Sequence, residues 1–151
     1  MKIWPCILTA ILTLGASVAS AETIDVSDDH GGLLMAYQQQ WAQLSARGLN
    51  VRIVGPCVSA CTVLFGYIPR QNICVTPGAY FGFHAATMTF ATEDLLRAYP
   101  ADIRAWLDQR GGLSNQVLWM QAPVTYRFFR KCSPTAKARQ LPRALSGWEM
   151  R

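Results

Sequence analysis

Ser59, His84 and the pair Gly31-Gly32 are the residues whose types and placing suit catalysis. Ser59 follows the β-branched run Val51-Arg52-Ile53-Val54 and the breaker Gly55-Pro56, and it opens the apolar stretch 60–68. A serine at a strand-to-helix turn presents its hydroxyl beside the positive end of a helix. There the N–H of the next residue, Ala60, can stabilise an oxyanion. The same position equally suits a plain helix N-cap. His84 stands at the end of an apolar strand, in Gly82-Phe83-His84-Ala85-Ala86. Imidazole takes a serine proton near neutral pH; a core histidine bonded to backbone is the structural alternative. Adjacent glycines before a helix let backbone N–H groups approach an anion, or simply make a tight turn.

The elements that must position these groups follow from the pattern. Residues 23–26 suit a short strand, and Asp28-Asp29-His30-Gly31-Gly32 is rich in turn formers. Leu34, Tyr37, Trp41 and Leu44 recur at helical steps, which predicts an amphipathic helix stopped by Gly48. Residues 51–54 predict a strand, and Ser59 a sharp turn into a buried helix ended by Pro69. Two more strands fall at 73–76 and 79–83, around Pro77-Gly78. Thr92 is placed to cap a helix over 93–99, and a further helix spans 101–110 before Gly111-Gly112. Ser114 is placed to cap one through Gln121. Strands interleaved with helices predict an α/β class with parallel pairing. No internal repeat stands out.

The N-terminus predicts export. Lys2, the largely apolar residues 3–18 and Ala19-Ser20-Ala21 have the form of a secretory signal peptide cleaved after Ala21. That apolar run is short for a membrane span. The expected organisation is a signal peptide over 1–21, one domain over 22–132, and a basic, flexible tail over 133–151. Losing Lys2 takes the formal net charge from +5 to +4. Arg127, Arg130, Lys131, Lys137, Arg139, Arg143 and Arg151 face only Glu149 near the C-terminus. With Pro134, Pro142 and Gly147 among them, they read as a solvated end. Export argues against a nucleic-acid partner, and no second long apolar run predicts a membrane span after cleavage. Of the 5 cysteines, Cys57, Cys61, Cys74 and Cys132 remain in the mature chain. An even number in an oxidising compartment predicts disulfides, with Cys61–Cys74 and Cys57–Cys132 the expected pairs. The spacing Cys57-x-x-x-Cys61 lacks the usual zinc knuckle, so no metal is expected; nor is a cofactor.

Gly31-Gly32, then Val-Arg-Ile-Val-Gly-Pro-Cys-Val-Ser59-Ala-Cys, then Cys-Val-Thr-Pro-Gly-Ala-Tyr-Phe-Gly-Phe-His84 resembles the motif order of Clp proteases. The shared motifs Asp-His-Gly-Gly, Cys-x-Ser-Ala-Cys-Thr and Gly-Phe-His-Ala look closer still to a group of exported bacterial proteins, mostly from alphaproteobacteria. The resemblance covers residues 25–132. It implies a compact ClpP/crotonase-like fold with short parallel strands and flanking helices. It also implies Ser59 as nucleophile, His84 as base, and the N–H groups of Gly32 and Ala60 as oxyanion hole. A peptide or other acyl substrate and a homo-oligomeric assembly follow from the same likeness. One departure stands out. Clp proteases complete a triad with an aspartate on a later helix, where an ungapped match places Gln121. Asp28, Asp29 and Asp102 are alternative partners, and His30, where the family usually has proline, lies near the inferred site. Two readings therefore stand side by side: an exported serine hydrolase, and a non-catalytic binding or assembly domain stapled by disulfides.

Overall fold

The computed structural model describes residues 21–133 and the strand at 139–140. The segment before Ala21, where a signal peptide is expected, and the rest of the basic tail lie outside the described residues. Chain order is β1 (Thr23–Val26), α1 (Leu34–Ala46), β2 (Asn50–Ile53), β3 (Pro56–Val58) and a 3-10 helix (Ser59–Gly66). Then come β4 (Ile73–Val75), β5 (Tyr80–Phe83), α2 (Thr89–Ala98), α3 (Ala101–Asp108) and β6 (Leu118–Gln121). The short strands β7 (Arg130–Lys131) and β8 (Arg139–Gln140) complete the order.

The fold is mixed α/β. One sheet, ordered β7-β4-β2-β1-β8, is parallel throughout. The other, β3-β5-β6, pairs β3 with β5 in parallel and β5 with β6 antiparallel. The two sheets are built by one repeated pass. β1, β2 and β4 lie side by side in the first sheet. The chain then continues into the second layer, where Asp29 bridges Cys57 of β3 and β3 pairs with β5. Each pass ends in a helix: α1, the 3-10 helix and α2. This strand–strand–helix repeat has no sequence counterpart, because backbone ladders alone define it.

The core fills the space between sheets and helices. Val26, Ile53 and Val75 from the large sheet, Trp41 from α1 and Leu64 from the 3-10 helix are all buried. Phe65 stacks on Phe129 and meets Phe81 edge-on, both at 4.9 Å between ring centroids. Each such side chain contributes about 1.5–3 kcal/mol by leaving water. Among the described residues no helix is long and apolar enough to cross a membrane.

Three expectations are corrected. Residues 118–121 form β6 rather than a helix. The reason is β5: Gly82 lies opposite Trp119, and a Cβ on Gly82 would sit 2.8 Å from Trp119 Cζ3 and 2.7 Å from Val58 Cγ1. The indole covers the space the glycine leaves, which favours pairing over local helicity. Helix α2 begins at Thr89, and Thr92 Oγ1 instead accepts from the Ala86 N–H at 2.9 Å. The disulfides are Cys57–Cys61 and Cys74–Cys132, not the expected pairs. Cys61 is carried back to Cys57 by the 3-10 turn. Cys132 follows β7, whose parallel pairing with β4 brings it to Cys74. In the chain-entropy account the 4-residue separation of the first bridge is worth roughly 2 kcal/mol and the 58-residue separation of the second roughly 4.

Candidate functional site

Strand β3 runs extended to Val58, with φ −122° and ψ 149°. Ser59 then adopts φ +57°, and it is the one non-glycine residue at positive φ among the described residues. The left-handed region costs an L-residue about 1–2 kcal/mol. The N-cap alternative fails here, since the 3-10 helix begins at Ser59 itself and Val58 holds the cap position. Ser59 turns the chain between strand and helix.

Three contacts hold this conformation. Cys57 and Cys61 are bonded across Ser59. The Thr62 hydroxyl donates to the Ser59 carbonyl at 2.6 Å and lies 2.6 Å from the Tyr99 hydroxyl. Thr62 has one proton, already given to the carbonyl, so Tyr99 is the donor to Thr62. Burial pushes the Tyr99 phenol well above its ordinary range, against the smaller effect of Thr62. It therefore stays a neutral donor. Gly31 makes the third contact. A Cβ there would lie 2.7 Å from both Ser59 Cβ and Val58 O, and 2.9 Å from Ala60 N.

The turn that carries Gly31 rides on β3. Asp29 N donates to Pro56 O at 3.0 Å, and Val58 N to Asp29 O at 2.8 Å. The Asp29 carboxylate accepts from Gly31 N at 2.9 Å and from the Tyr37 hydroxyl at 2.5 Å. Burial first, then the bond and charge of Asp29, push the Tyr37 phenol far up. Asp29 thus shapes the turn and is not offered to His84. Gly32 follows in the chain; a Cβ there would meet only Tyr37 Cε2, at 3.5 Å. The Ala60 N–H, in the first turn of the 3-10 helix, has no intrahelical acceptor.

His84 follows β5 at the same end of the strands at which Ser59 follows β3, because Val58 pairs in parallel register with Gly82. Neighbouring strands lie about 4.8 Å apart, so the two residues emerge close together. Their side chains are not hydrogen-bonded to each other. The His84 Nδ1 lies 2.7 Å from the Ala85 carbonyl oxygen. A carbonyl only accepts, so Nδ1 carries a proton and the neutral ring keeps its lone pair on Nε2. The peptide that carries this carbonyl is itself fixed, since its N–H, that of Ala86, donates to Thr92 Oγ1 at 2.9 Å.

Among the described residues no carboxylate takes that position. Gln121 pairs with Tyr80, whereas Leu118 pairs with Phe83, next to His84. Gln121 therefore lies at the far end of β6, on the order of 10 Å along the strands from His84. Its expected role as third residue is not met, because the segment is a strand. Asp102 forms a two-bond pair with Arg70 at 2.5 and 2.7 Å, and that guanidinium holds its carboxyl below the usual range. Asp28 bonds the exposed His30 ring at 3.0 Å. Sequence reasoning missed Thr62, Tyr99 and the Ala85 carbonyl. A buried Thr and Tyr signal nothing alone, and a backbone acceptor has no sequence signature.

The hydroxyl chain predicts a measurable asymmetry. Thr62→Val keeps the shape but removes the side-chain bond to the Ser59 carbonyl and leaves the buried Tyr99 hydroxyl without its partner, at about 2–3 kcal/mol of stability. Thr62→Ser keeps the hydroxyl and loses a methyl, about 1 kcal/mol. Urea unfolding of the two variants checks the order; equal losses would remove the hydroxyl chain as a support of Ser59.

No family model matches this chain, and no curated protein does. Among solved structures, a point mutant of ClpP1 from Listeria monocytogenes is similar at 15% identity and a TM-score of 0.44. The alignment covers 70% of this chain and 68% of that one.

Proposed function

We propose that this chain is an exported serine hydrolase, peptidase-like and of Clp-protease-like fold, with Ser59 as nucleophile and His84 as general base. The observation that carries the proposal is the backbone of Ser59. A strained, non-glycine φ of +57° at a strand-to-helix turn is maintained by a disulfide, a hydroxyl chain and a tightly packed glycine. Such strain persists only where the surroundings over-determine it, and it clusters at reactive residues. The repeated strand–strand–helix pass supports the fold assignment, and the two disulfides support export.

In this mechanism His84 Nε2 takes the hydroxyl proton as Ser59 Oγ attacks the acyl carbon. The N–H groups of Ala60 and Gly32 receive the oxyanion, and the same imidazolium returns its proton to the leaving group. The Ala85 carbonyl holds the ring in the required tautomer. It contributes a dipole where a triad has a charge, so the imidazolium is less stabilised. In a Ser-His-Asp triad, replacing the carboxylate costs about 10⁴-fold in turnover; slow turnover is expected here too. Leu33, Met35, Met88, Phe90 and Trp119, all exposed, follow Gly31 and His84 in the chain or pair beside Gly82. They suit a peptide or acyl group with bulky apolar character.

The missing carboxylate also favours a second reading, a non-catalytic domain that keeps the pocket for binding. A fluorophosphonate separates the two, because it needs only an activated nucleophile. The oxidised protein should be labelled on Ser59, Ser59→Ala should not be labelled, and His84→Ala should be labelled far more slowly. Absence of wild-type labelling across several such probes sinks the hydrolase.

A further inference from the structure

Cys57 is held from both sides. It pairs with Phe81 in β3–β5 and bridges Asp29, and its side chain is fully buried, as is that of Cys61. Four extended residues span up to about 14 Å, yet the Cα atoms of Cys57 and Cys61 are 5.3 Å apart. Cys57 and Val58 are already committed to the strand, and Ala60 onward to the 3-10 helix. The reversal that brings Cys61 back is made by the positive φ of Ser59 together with the first 3-10 turn, which Ser59 opens.

We infer that the Cys57–Cys61 disulfide is a positioning clamp that holds Ser59 in the left-handed conformation and so sets the direction of its hydroxyl. Without the bond, the strain at Ser59 can be relieved by letting Cys61 swing away from β3. The other disulfide has no such role. Cys74–Cys132 ties β4 to the chain after β7 and adds stability without touching the Ser59 turn. The effect on reactivity rests on the hydrolase reading; the effect on strain does not.

Two measurements on the oxidised protein test the clamp. The first is fluorophosphonate labelling, well below every variant's melting point. Cys57→Ala/Cys61→Ala should label roughly 10²-fold more slowly than wild type. Cys74→Ala/Cys132→Ala, which loses the longer loop and melts lower, should stay within about twofold. The second measurement is a cycle on melting temperature. Ser59→Gly should raise the midpoint by roughly 3 °C when the clamp is present and by less than about 1 °C when both cysteines are alanine. Cys57→Val/Cys61→Ala refills most of the lost volume and replaces the alanine pair if that pair fails to fold. Wild-type labelling rates in the unclamped chain overturn the clamp, as does an equal midpoint rise in both backgrounds. If wild type itself does not label, the hydrolase reading falls and the melting cycle alone decides the clamp.

Discussion

Ser59→Gly should abolish labelling by a serine-directed phosphonate and at the same time make the protein more stable. Glycine removes the nucleophilic oxygen, so the loss of labelling should be complete. Two opposing effects set the stability change. An L-residue at φ +57° carries about 1–2 kcal/mol of strain that glycine does not. Glycine in turn loses more freedom on folding, about 0.5–1 kcal/mol. Relief of strain outweighs the lost freedom, which leaves a net gain of about 0.5–1 kcal/mol. Ser59→Ala is the control, since it also lacks the hydroxyl but keeps the Cβ and therefore the strain. Because Ser59 does not hold the cap position of the helix, its stability should match wild type within about 0.5 kcal/mol. A glycine variant no more stable than the alanine variant would mean that the turn is not strained. The main structural reason for reading Ser59 as a nucleophile would go with it. The expected opposition of stability and reactivity is the usual signature of a site shaped for chemistry.

How far the sequence disclosed this site depends on what kind of interaction holds each part. Val51-Arg52-Ile53 and Phe81-Gly82-Phe83 were legible as strands because side-chain type and breakers define them locally. The stripe Tyr37–Trp41 was legible for the same reason, and both residues are buried on α1. Leu118-Trp119-Met120 was not, because its strand depends on Gly82, more than thirty residues earlier. Cysteine number predicted disulfides, but four cysteines allow three connectivities and only the topology chooses among them. Ser59 and His84 stand out by type and order as candidates, and parallel β3–β5 pairing brings them to the same end of the strands. The group that holds the imidazole was out of reach. The ungapped family match puts Gln121 at the third position, whereas Nδ1 is bonded to the neighbouring carbonyl.

Gly31→Ala should damage both the fold and the Ser59 turn. Its φ of +83° already disfavours alanine by about 1–2 kcal/mol. The new Cβ would sit 2.7 Å from Val58 O, 2.7 Å from Ser59 Cβ and 2.9 Å from Ala60 N. Two of these are backbone atoms pinned by β3 and the 3-10 helix, so they cannot rotate away as a flexible side chain could. Overpacking of this kind costs about 1–3 kcal/mol, for a combined loss of about 2–5 kcal/mol. The cheapest relief is for the Asp29–Gly31 turn to lift off β3. That breaks the Asp29–Pro56 and Val58–Asp29 backbone bonds and draws Tyr37 away from Asp29. The Ser59 turn then loses the wall against which it is packed, and labelling should fall with it even in the fraction that remains folded. Gly32→Ala isolates the cause. Its Cβ would meet only Tyr37 Cε2 at 3.5 Å, ordinary van der Waals contact, so its unfolding midpoint in urea should stay close to wild type. If the two substitutions destabilise equally, the damage comes from losing glycine flexibility before α1. In that case the close approach of Gly31 to Ser59 is not what the fold protects.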